Sequence, residues 1–108
     1  MNLLKWVGLD TTQTKEEADR RRRYEYGIEE VKRWTKAKKA IAADGEDTTR
    51  RFLAGIEELS QRQGPQGAGV EVMRHNMALF QEQTEERLQE ADYRLSIYRN
   101  IVLMQGRI

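Results

Sequence analysis

The stretch AADGEDTTRR, Ala42 to Arg51, decides whether this chain folds as two helices or three. Asp44-Gly45 reads as a stop, because glycine takes the left-handed conformation that often ends a helix. Asp47 then reads as an N-cap, a side chain able to accept from the free amides of a new first turn. On this reading one helix closes at residue 43 and another opens at 48.

Upstream, Thr14 and Glu17 fit a capping box. Ile28, Val31, Trp34, Lys38 and Ile41 follow at three- and four-residue steps, one stripe of a helix. The spacing predicts a first helix over 15–43, about 44 Å long at the standard rise. Downstream, Phe52, Ile56 and Leu59 mark a shorter helix over 48–63. The loop GPQGAG, Gly64 to Gly69, holds the single proline.

A third helix is predicted over 70–104, about 52 Å long. Its stripe is Met73, Met77, Phe80, Thr84, then Leu88, Ala91, Leu95, Tyr98 and Val102. The step from Thr84 to Leu88 shifts the heptad phase, a stutter that locally unwinds a coiled coil. The expected fold is all-α: an elongated helical hairpin or three-helix bundle, with two long helices and one short one. Residues 1–13 are set apart as an apolar N-terminal docking segment, and 14–108 form a single helical domain.

Composition narrows the function. Charged residues are 34% of the 108 and the hydrophobic set 38%, below the usual share for a globular domain. A thin core of this kind favours association. The net charge of +1 favours neither nucleic acid nor an anionic membrane. The absence of cysteine removes thiolate metal sites and cysteine nucleophiles. Neither a signal peptide nor a transmembrane segment is read, so a cytoplasmic or intracellular location is expected, including within a larger particle.

Enzyme signals are scarce, and no catalytic residue, metal site or cofactor is assigned. His75 is the sole histidine, and Glu71 one turn before it makes too few ligands for a transition metal. Glu82, Glu86 and Glu90 read as a solvated acidic face. GPQGAG follows no strand and precedes no Lys-Ser/Thr pair, so it is no phosphate loop. Ser60 and Ser96 have no histidine near them in sequence.

Four arginines, Arg20 to Arg23, resemble a nucleic-acid arm. Glu16, Glu17 and Asp19 precede Arg20, Arg21 and Arg23 by four residues, and Glu25 follows Arg22 by three, spacings that favour helical ion pairs. The run therefore reads as a self-paired collar. Lys32, Arg33, Lys36, Lys38 and Lys39 have no acid among them. They are the better candidates for contact with an anion or an acidic partner. The acid-rich stretch Gln81 to Asp92 is a natural counterpart, within the chain or between copies.

Both ends of the chain are rich in apolar residues. Leu3, Leu4, Trp6, Val7 and Leu9 crowd the start. YRLSIYRNIVLM, Tyr93 to Met104, is apolar around most of its circumference. Tyr93, Leu95, Ile97, Tyr98, Ile101, Val102 and Met104 are the expected partner interface, with those N-terminal residues, unless the two ends cover each other.

The function expected is non-enzymatic: a helical protein–protein interaction or assembly subunit, such as a virion or injection-apparatus component, or a small adaptor or inhibitor. Its partners would be proteins, through self-association or as subunits of a larger assembly. The alternative is a nucleic-acid-associated helical protein using the basic half of the first helix. Membrane docking is disfavoured, since one lysine and nine residues make a poor interfacial anchor.

Overall fold

The computed structural model describes the backbone of residues 2–106 and the side chains of residues 15–106. Among these residues the chain forms two long antiparallel helices, α1 (Asn2–Gln63) and α2 (Ala68–Gly106). The fold is an all-α helical hairpin. There is no third helix: the helices expected over 15–43 and 48–63 are parts of α1, and α2 contains the helix expected over 70–104.

The helix runs through Asp44-Gly45 for a packing reason. Thr35, Lys38, Ala42, Gly45, Thr49, Phe52, Ile56 and Leu59 alternate steps of three and four without a break, and all are buried or half-buried. Gly45 therefore lies on the seam, in phase with the residues on either side. It is buried, and a Cβ built there would stand 2.9 Å from Thr84 Cγ2. The glycine permits close approach of α2 instead of ending α1. Asp47 does not act as the expected cap; its carboxylate pairs with Arg51 at 2.8 Å and Arg50 at 3.9 Å.

The real stop is Gly64, the one described glycine with positive φ, at 88°. Its amide donates to the Ser60 carbonyl at 2.8 Å, and Gly67 N–H donates to the Gly64 carbonyl at 3.1 Å. The Gln63 side-chain oxygen accepts from Gly69 N–H at 3.1 Å, satisfying an amide in the first turn of α2. Arg74 donates to the Pro65 carbonyl at 3.0 Å. The predicted loop is thus a turn tied at both ends.

The chain divides into two compact units, Met1–Trp34 with Arg94–Ile108, and Thr35–Tyr93. In the second unit, Val70, Met73, Met77, Phe80, Thr84, Leu88 and Ala91 of α2 are the buried or half-buried stripe, with the expected stutter between Thr84 and Leu88. Phe52 meets Phe80 with ring centroids 6.0 Å apart. Where the stutter faces Gly45, the seam is built of small residues and a groove of about 520 Å³ opens beside Ala42, Thr49 and Leu88. In the first unit, Leu95 is buried, and Ile28, Val31, Tyr98 and Val102 are half-buried. No helix among the described residues is long and apolar enough to cross a membrane.

Candidate interaction surface

The surface of the first unit follows from how its helices meet. At Gly27 a Cβ would stand 2.9 Å from Val102 Cγ2 and 3.3 Å from Ile101 Cγ2, so the backbones approach closely. Ile101, Val102 and Tyr98 are turned partly toward α1 by that contact. Tyr26 and Tyr98 stack edge to face with centroids 5.8 Å apart. The neighbouring Tyr98 hydroxyl favours the protonated Tyr26 phenol and raises its pKa above the ordinary tyrosine value, and the repulsion between the two phenolates adds to this.

Trp34 is flanked by the guanidinium groups of Arg33 and Arg94, each with Cζ 5.8 Å from the ring centroid. Its indole N–H is buried and has no hydrogen-bond partner. Ile28, Val31, Val102 and Leu103, with the stem of Arg99, leave an open apolar groove of about 290 Å³. Leu103 is 57% exposed and Met104 70%. Against the 38% hydrophobic content of the chain, apolar surface left open here is surface that contributes little to the core.

The expected interface residues thus occupy different environments. Tyr93 and Met104 are exposed, Leu95 is 2% exposed and belongs to the core, and Ile97, Tyr98, Ile101 and Val102 are half-buried. The side chains of Leu3, Leu4, Trp6, Val7 and Leu9 lie outside the described residues. Leu103 falls off both apolar stripes of α2, so helical periodicity does not mark it; its place in the YRLSIYRNIVLM run is the available signal.

The charges also sort differently from the helical-spacing expectation. Arg22 pairs with Asp19 at 2.6 Å and donates to the Ala18 carbonyl. Arg23 donates to the side-chain oxygen of Gln105 at 3.3 Å. Arg20 and Arg21 form no ion pair among the described residues, and neither do Glu16 and Glu17, so the expected self-paired collar is not formed. Solvent-exposed pairs one helical turn apart gain little over hydration, which leaves such side chains free to separate. Arg20, Arg21, Tyr24 and Gln105 instead line an open pocket with Glu17.

Downstream, Lys32 pairs with Glu29 at 3.6 Å and Arg33 with Glu30 at 3.5 Å. Lys38, which has no acid near it in sequence, meets Asp92 of α2 at 2.6 Å. The basic part of α1 and the acid-rich part of α2 therefore do meet within one chain, through that pair. Lys36 and Lys39 are exposed and form no ion pair among the described residues. His75, Glu82, Glu85 and Glu86 are exposed, and no described cluster of three His, Asp or Glu side chains could hold a metal ion.

No family model matches the chain, and no curated protein or solved structure matches it either.

Proposed function

We propose that this chain is a non-enzymatic helical subunit that acts by binding protein, through self-association or within a larger assembly. The observation that carries this reading is the apolar surface of the first unit: the open groove at Ile28, Val31, Val102 and Leu103, with Leu103 and Met104 exposed beside it. Apolar side chains lining an open groove, with Arg99 at its edge and Met104 exposed nearby, match the composition of protein interfaces. Light scattering after size exclusion, on the full chain and on a version lacking Met1–Leu9, tests it. A full-length oligomer that dissociates on truncation is the expected result. A monomer in both cases removes self-association and leaves only a different protein as partner.

Nucleic-acid association is the second reading, favoured by one observation: Arg20 and Arg21 are not engaged by Glu16 and Glu17. Arg20, Arg21, Arg23, Lys36 and Lys39 of α1 are among the cations that form no ion pair among the described residues. A gel-shift titration at low and moderate salt decides it, because phosphate contacts weaken steeply with salt. Absence of a shift at low salt rules it out.

A further inference from the structure

We propose that two copies of this chain pair through antiparallel α1 helices about a two-fold axis passing between Ala18 and Asp19. The inference rests on the assembly reading above and names its partner, a second copy. Its first support is charge. The segment EEADRR, Glu16 to Arg21, runs from acid to base, so it complements itself when reversed. An axis between Ala18 and Asp19 sets Glu17 against Arg20 of the second copy and Glu16 against Arg21. Symmetry repeats both pairings. These are the four side chains of the segment that find no ion pair within their own chain among the described residues, whereas Asp19 is held by Arg22.

The second support is register. The axis chosen on charge alone also brings Leu9 to the level of Ile28 of the second copy, and Trp6 to the level of Val31. Ile28 and Val31 line the open apolar groove, closed on its far side by Val102 and Leu103. Apolar positions near the start of one chain's sequence thus fall level with the apolar groove of the other, and the isologous symmetry repeats this register at both grooves. Charge sets the register and orientation, and apolar burial supplies most of the affinity.

Charge reversal tests the register. The double variant Glu16→Arg/Glu17→Arg makes the segment wholly basic on its pairing positions, and Arg20→Glu/Arg21→Glu makes it wholly acidic. Each is expected to weaken its own dimer on the order of a hundredfold, since like charges facing across an interface cost several kcal/mol. An equimolar mixture of the two is expected to restore a dimer, which a merely misfolded variant would not do. A wild-type dimer unaffected by either reversal, or two reversed variants that fail to rescue each other, overturns this register and leaves self-association standing. A monomeric wild type overturns both.

Discussion

Gly45 of α1 and Thr84 of α2 are packed so closely that a methyl group on Gly45 would stand 2.9 Å from Thr84 Cγ2. Thr84 is β-branched and stiff about its first torsion, so it has little room to withdraw. Replacing Gly45 with alanine adds helix propensity worth about 1 kcal/mol but overpacks the seam at a cost of about 1–3 kcal/mol. Gly45→Ala is expected to lower the melting temperature. Adding Thr84→Ala is expected to restore it to wild type or above, as measured by thermal denaturation followed by circular dichroism.

Gly55 gives the opposite expectation from a similar distance. Its hypothetical Cβ meets Met73 Cε at 2.6 Å, but that atom is the far end of a flexible side chain. Gly55→Ala should gain most of the propensity term, up to about 1 kcal/mol of stability. A loss of stability by more than that amount in urea titration contradicts the account.

At the turn, Gly64 holds φ at 88° with nothing near its Cβ position. The cost of alanine there is conformational and not steric, on the order of 1 kcal/mol. Gly64→Ala should destabilise, and Gly64→Asn less so, because asparagine tolerates the left-handed region. Equal effects of the two in chemical denaturation would show that the turn relaxes to another geometry.

The raised pKa of Tyr26 sets an alkaline limit. Its folded-state value lies above the unfolded one, so the stabilising contribution is fully present below the unfolded tyrosine value, about pH 10, and is lost as pH rises through the folded value. Tyr98→Phe removes the neighbouring hydroxyl that contributes most to the rise. Tyrosinate absorbance in that variant should show Tyr26 titrating at lower pH than in the parent chain. Unchanged titration would mean that Tyr98 is not the cause.

The Lys38–Asp92 contact is short, yet both side chains are about half exposed. A double-mutant cycle should give a coupling of about 0–1 kcal/mol that shrinks with added salt. A larger, salt-insensitive value would indicate a desolvated pair.

Much of the fold was legible residue by residue. The α2 stripe from Met73 to Val102 was read with its stutter in place, because methionine, leucine and phenylalanine at three- and four-residue steps leave only one face to bury. Continuity of α1 was not read, although its signal was present. From Thr35 to Thr49 the seam positions hold threonine, lysine, alanine and glycine, which do not register as apolar. The phase linking them to Phe52, Ile56 and Leu59 was therefore hidden beneath the local Asp-Gly and Asp47 signals.

The site divides in the same way. The sequence placed the apolar surplus in the Tyr93–Met104 run, but it counted Leu95, which is in the core, as partner interface and passed over Leu103, which lines the groove. That distinction depends on which side of α2 faces α1. Charge segregation marked the acid-rich stretch as a counterpart of the basic part of α1, within the chain or between copies; that Lys38 meets Asp92 of the same chain needed the helices in register.

By itself, the sequence determined helicity, the turn near Gly64, and the periodic stripe of α2, since propensity and periodicity are local properties of the chain. Tertiary structure alone decided that Gly45 is a contact and not a terminator. A glycine with no Cβ serves equally well to end a helix or to admit a neighbour, and only the presence of Thr84 against it selects between them.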